Sequence, residues 1–205
     1  MDKGEPMKTL LNIIQLHNLV KEYGFIAGGS CRSLIEKEEP KDYDIFCYTK
    51  EGYEPIKNIL LNMYGKTREN ALVFQMNNIQ LIKPRENKYL KTYGTPFEVV
   101  SKFDFSVCRG YFDGKEAQFI DSDSLIHIEA KSLVINNIVC PISTTKRIIK
   151  YTKRGYFIKI REILKLYYEF SQRVASGDIN IDSFNLIEDM ADDELYELLA
   201  KYNID

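Results

Sequence analysis

The spacing of polar and apolar residues along the 205-residue chain changes period repeatedly, and each change marks an element. Leu10, Leu11, Ile13, Ile14, Leu16, Leu19 and Val20 recur at helical spacing, and Gly24 closes that helix. Phe25-Ile26-Ala27 reads as a short strand entering Gly28-Gly29, and Ser30 is placed to cap a helix over about 31–37. Pro40 and Lys41 lead into a strand over 43–48, and 52–64 reads as a helix. The run "ALVFQM-NN-IQLIK" predicts a hairpin with Asn77-Asn78 as its turn. A short helix around 96–101 precedes a strand, "FDFSVCRGYF", which Asp113-Gly114 turns back into "AQFI". A helix over 121–131 and a last strand, "LVI", follow. From Thr144 or Thr145 one long helix is expected to about 174, where Ser176-Gly177-Asp178 breaks it and two short acidic helices close the chain. The pattern predicts an α/β (α+β) fold. A mixed sheet flanked by helices occupies 1–140, and a small helical extension occupies 141–205.

Composition supports a packed core, with 44% hydrophobic and 28% charged residues. No apolar run approaches membrane-spanning length, so no membrane partner is expected. The stretch from Met7 to Val20 resembles a secretory signal only faintly, because His17 and Asn18 interrupt it and no small-residue cleavage site follows. Cys31, Cys47, Cys108 and Cys140 show no C-x-x-C spacing, which argues against zinc and for reduced thiols in a cytoplasmic protein. Net charge is −2, yet the charge is segregated: seven basic and no acidic residues from Lys146 to Arg161, nine acidic residues and one lysine from Asp178 to Asp205. The basic stretch suits an anionic ligand despite the overall sign.

The candidate chemistry lies in "GGSCRSLIEKEEPKDYDIF", residues 28–46. On a strand, Asp42 and Asp44 project from one face, and two carboxylates held that close repel unless a cation sits between them. Mg2+ or Mn2+ suits such an oxygen pair. A polar strand end at the surface is the plainer reading of D-x-D alone. Gly28 and Gly29 after a strand let backbone N–H groups approach an anion at a helix start, with Ser30 adding a hydroxyl and Arg32 a charged fork. An ordinary strand-to-helix turn is the plainer reading there.

Together these parts resemble the head domain of CCA-adding enzymes and bacterial poly(A) polymerases, within the polymerase-beta-type nucleotidyltransferase superfamily. Gly28, Gly29, Arg32, Pro40, Lys41, Asp42 and Asp44 match a pattern of the form G-G-x-x-R-D…P-K-D-x-D, with Ser33 where the family has an aspartate. "SKFDFSVC" resembles the R-R-D-F-T motif through Asp104, Phe105 and Ser106, while Lys102 and Phe103 replace the arginines. "RIIKYTKRGYFI" resembles a basic family helix, with Arg147, Lys150 and Arg154 on one face.

The resemblance implies Asp42 and Asp44 as catalytic metal ligands. It implies a triphosphate held by Gly28, Gly29, Ser30, Arg32, Lys41, Arg147, Lys150 and Arg154. Asp104 is expected in the nucleotide pocket near the sugar, or as a third carboxylate; Glu98 is the other acid for that role, since "IQLIK" offers only Gln80. The implied activity is template-independent transfer of a nucleoside monophosphate to an acceptor hydroxyl. An RNA 3′ end, as in tRNA processing, is favoured over a protein or a small molecule. A catalytically weak nucleotide- or RNA-binding module is the alternative, and a plain interaction protein the third. The family's E-D-x-x-R motif has no counterpart, and fewer than 60 residues follow the basic stretch.

Overall fold

The computed structural model describes residues 5–63 and 65–179. The two acidic helices expected after Asp178 lie outside the described residues. The elements run α1 (Glu5–Val20), β1 (Gly24–Ala27), α2 (Gly29–Glu36), β2 (Tyr43–Cys47), α3 (Tyr53–Leu61), β3 (Thr67–Glu69), β4 (Val73–Met76), β5 (Ile79–Ile82), α4 (Pro96–Val100), β6 (Gly110–Phe112), β7 (Ala117–Phe119), α5 (Ser124–Glu129), β8 (Ser132–Leu133), α6 (Pro141–Thr152), β9 (Phe157–Ile158) and α7 (Ile160–Ala175).

Seven strands form one mixed sheet in the order β3-β4-β5-β2-β1-β6-β7. Only β2 and β5 pair in parallel within it. Strand alternation divides its side chains between two cores. On one face Ile26, Tyr43, Ile45, Cys47, Phe74 and Leu81 pack against Ile13, Leu16 and Val20 of α1 and Ile56 and Leu60 of α3. On the other, Phe25, Ala27 and Phe46 pack against Val99 and Val100 of α4. A third cluster gathers Phe105, Val107, Ile128 and Leu133 with Ile148, Tyr151, Tyr156 and Leu166, so α6 and α7 are packed onto the elements before them.

The hairpin forms as its pattern predicts, with Asn77 at φ 52 in the turn. The short helix at 96 carries a capping box of Thr95 and Glu98. Three expectations are corrected. Residues 103–109 are not strand: a turn of 3-10 helix occupies Ser106–Cys108, and only Gly110–Phe112 pair as β6. Ser30 does not cap α2; Gly28 holds that position, without a side-chain bond.

The long helix from Thr144 to about 174 is two helices. Gly155, at φ 82, ends the first in a Schellman motif, with Tyr156 N–H bonding the Tyr151 carbonyl at 3.1 Å and Gly155 N–H the Thr152 carbonyl at 3.0 Å. The Tyr151 and Tyr156 rings meet edge to face across the turn, 5.2 Å between centroids. The freed chain then lays β9 parallel to β8.

A Cβ at Gly155 meets open space, so replacement there brings backbone strain without a clash. Gly155→Ala is expected to lower unfolding free energy by about 1 kcal/mol, read from urea denaturation. Unchanged stability would show that the Tyr151–Tyr156 contact sets the break without help from the glycine.

Candidate active site

The acid pair sits where β2 begins. Tyr43, Ile45 and Cys47 point into the first core, so Asp44 and Phe46 share the opposite face. Asp42 lies just before the strand, close enough to act on the Asp44 carboxyl. A cross-strand row passes through the site: Gln75 on β4, Gln80 on β5, Asp44 on β2, Ala27 on β1 and Tyr111 on β6 are successive register partners. Gln80 therefore lies beside Asp44. Among the described residues no group of three or more His, Cys, Asp or Glu side chains converges to hold a metal, so Asp42 and Asp44 stand as a pair.

The glycine turn lies against this pair. Gly28 adopts φ 85, and a Cβ built on it would fall 3.6 Å from Asp44 Oδ2. Its N–H bonds the Gly110 carbonyl at 2.9 Å, which anchors the turn to β6. A Cβ at Gly29 would meet nothing within 4 Å, so the mouth of the turn is open. The first N–H groups of α2 have no intrahelical acceptor and carry the positive end of the helix dipole. Ser30 Oγ is buried there without a hydrogen-bond partner, a donor without an acceptor.

Burial first, and Asp42 second, push the Asp44 carboxyl up to about 6, while Lys150 and Arg147 pull the other way. The Lys150 amine is held below its ordinary value by desolvation, then by Arg154 and Lys41, with Asp42 and Asp44 opposing. The structure thus brings Arg147 and Lys150 to the carboxylate pair, with Arg154 and Lys41 close to Lys150. α6 carries Arg147 and Lys150 to the acids, and the Schellman turn places Arg154 beyond its end.

Two other residues are placed differently from expectation. Arg32 is only 2% exposed. Its guanidinium pairs with Glu36 at 2.9 Å, bonds Ser33 Oγ at 3.2 Å and lies 5.0 Å from the Tyr151 ring centroid. As positioned it is a strut between α2 and α6 rather than an open fork at the turn. Asp104 is buried, and its Oδ2 accepts from Arg147 Nη1 at 2.7 Å and Thr144 Oγ1 at 3.3 Å. It holds Arg147 in place and is not gathered with Asp42 and Asp44 into a carboxylate triad. Glu98 does not complete one either: it caps α4 and pairs with Lys91 at 2.7 Å, and these bonds, Lys91 first, draw its carboxyl down to about 2.

Sequence reasoning missed Thr144 as a partner of Asp104, and Glu36 as the receiver of Arg32, Lys131 and Tyr156. The i, i+4 spacing of Arg32 and Glu36 was the available signal.

A family model described as Gabija anti-defense 2 family protein matches residues 4–131. The chain belongs to that family. A curated relative, Gabija anti-defense 2 of Bacillus phage SPbetaL7, is 26% identical over 193 residues, covering 86% of this chain and 47% of its own length. The chain therefore spans about half the length of that relative.

Among solved structures, a CCA-adding enzyme in complex with ATP superposes with a TM-score of 0.58 at 11% identity, over 97% of this chain and 52% of that one. The Thermotoga maritima CCA-adding enzyme complexed with tRNA_CCA gives 0.55 at 12% identity, over 98% and 54%. A tRNA-processing enzyme in an apo form gives 0.54 at 16% identity, over 100% and 58%. At these identities the likeness is one of fold: the chain shares the fold of part of these CCA-adding enzymes. No helix among the described residues is long and apolar enough to cross a membrane.

Because the Asp44 carboxyl is raised above its ordinary 3.8, the folded state binds this proton more tightly than the unfolded chain. That contribution to stability is complete below about pH 4 and lost as pH rises through about 6. In metal-free protein Asp44→Asn should therefore be more stable than wild type at pH 8, and the gap should close as pH falls to 4. Urea denaturation in chelator across this range checks it; a gap independent of pH would contradict the raised value.

Proposed function

We propose that this protein is a divalent-metal-dependent nucleotidyltransferase that moves a nucleoside monophosphate from a nucleoside triphosphate to an acceptor hydroxyl, without a template. The observation that carries this reading is the frustrated acid pair. Asp44 is desolvated and repelled by Asp42, and Arg147 and Lys150 oppose that repulsion, with Lys41 and Arg154 near Lys150. Such an arrangement is costly in isolation and becomes favourable when a divalent ion joins the acids and a polyanion joins the cations.

The residues fit Mg2+ or Mn2+. Asp42 and Asp44 supply two carboxylate oxygens, and Gln80, on the neighbouring strand, is placed to add an amide oxygen. Magnesium is commonly held by one or two carboxylates with water and substrate phosphates completing its shell. A bound ion would neutralise charge growing on the α-phosphate and make the acceptor hydroxyl more acidic. The N-terminus of α2, with Gly28, Gly29 and Ser30, takes phosphate oxygens. Lys41, Lys150 and Arg154 neutralise the triphosphate, and Asp104 orients Arg147 toward it. The acceptor oxygen bonds to the α-phosphorus as the bond from that phosphorus to its bridging oxygen breaks. Pyrophosphate leaves with the electron pair, and the acceptor proton passes to solvent. Positioning and charge neutralisation supply most of the rate.

An RNA 3′ end is the acceptor favoured by the fold neighbours, one of which is complexed with tRNA. The curated relative is named for action against a defence called Gabija, so a protein or nucleic acid of that system is the second acceptor class. Gln80, a neutral residue beside Asp44, favours slow turnover or a nucleotide-binding module as the rival to efficient catalysis.

The test is incorporation of each α-labelled ribonucleotide with Mg2+ or Mn2+, in the presence of RNA, of candidate proteins, or of neither. Label should appear on one acceptor. It should fall by about 100-fold or more in Asp42→Ala/Asp44→Ala and vanish in chelator. No label on any acceptor, with triphosphate binding intact, would sink the enzyme and leave the binding module.

A further inference from the structure

We infer that Phe103 is the aromatic platform on which the nucleobase of the bound triphosphate stacks. The inference rests on the nucleotide-binding reading of the site and names the part of the ligand that reading leaves without a partner. The phosphate-facing groups are all polar or glycine: Gly28, Gly29, Ser30, the two acids and the cations. Phe103 breaks that pattern. A Cβ built on Gly28 would lie 3.5 Å from Phe103 Cε2 and 3.6 Å from Asp44 Oδ2, so the ring edge and the carboxylate converge on one point above the glycine. The ring stays partly exposed, and its centroid is 5.4 Å from that of Phe46, tilted by 45°.

The ring packs in part against the core of Phe25, Phe46, Val99 and Val100, and the rest of it is open to water. It becomes useful when an apolar surface of the ligand covers it, and the base is the flat apolar part of a nucleoside triphosphate.

The ring is also held in advance. Phe103 N–H bonds the Val100 carbonyl at 3.1 Å, and the Lys102 carbonyl accepts from Asn137 Nδ2 at 2.6 Å. On its other side the Asp104 carbonyl accepts from Asn136 N–H at 2.8 Å, and its carboxylate takes Arg147 and Thr144. Both neighbours of Phe103 are therefore pinned, and little freedom is lost when a base arrives. Stacking on a ring tolerates every base, so this contact contributes affinity without choosing among them.

Calorimetric titration of Mg–ATP and of Mg–tripolyphosphate, without acceptor, separates the base from the phosphates. Phe103→Ala should weaken ATP by about 5- to 100-fold, weaken the other three ribonucleotides similarly, and leave tripolyphosphate unchanged. Phe103→Tyr should keep ATP near the wild-type value. Unchanged tripolyphosphate binding also reports that the variant site is folded. Equal weakening of ATP and tripolyphosphate would make the ring a support of the glycine turn and overturn the inference, as would ATP binding unaffected by the alanine. A wild-type protein that binds neither ligand would instead overturn the nucleotide reading itself, before any variant is made.

Discussion

Burying a guanidinium is costly unless it is paired, and the partners of Arg32 are what hold the halves of this site together. Its charge is balanced by Glu36 within α2, and its flat face lies over Tyr151 of α6. Glu36 in turn accepts from Lys131 and from Tyr156, beyond the Schellman turn. One charge network therefore joins the helix that starts at the glycine turn to the helix that carries the basic residues. Together with the packing of Ile148 and Tyr151 and the Asp104–Arg147 pair, it fixes the acids at the start of β2 against cations more than a hundred residues away in the chain.

The second constraint is the strand period. Tyr43, Ile45 and Cys47 are committed to the first core, so Asp44 has no choice of face. The same row brings Gln80 beside it and leaves Ala27 as the only side chain between Asp44 and Tyr111. The small alanine leaves the row uncrowded beside the carboxylate, and Gly29, where a Cβ would meet nothing within 4 Å, leaves the mouth of the turn open. In the free protein Asp42 helps push up the Asp44 carboxyl, and in the proposed function a divalent ion relieves that conflict.

Much of this was legible in the chain. The D-x-D spacing, the glycine turn and the hairpin all depend on local rules, and each appears near its expected position. What local rules could not supply was contact between distant segments. The i, i+3 and i+7 spacing placed Arg147, Lys150 and Arg154 on one helix face, but Gly155 ends the helix and a turn delivers Arg154 instead. The glycine was visible; its φ of 82 was not. Asp104 carried a motif that suggested a role at the ligand, and the structure shows it buried under Arg147, one step back. Arg32 likewise matched a motif, while the residues that enclose it, Tyr151 above all, come from a segment 119 positions away whose approach only tertiary packing determines.

The proposed function requires two remote segments, 28–44 and 147–154, to form one nucleotide site. Amide hydrogen exchange with and without a nucleoside triphosphate and Mg2+ tests that directly. Joint protection of Gly28–Arg32, of Asp42–Asp44 and of Arg147–Arg154, dependent on the divalent ion, is the expected result. Protection confined to one segment, or appearing only elsewhere in the chain, would contradict a shared site.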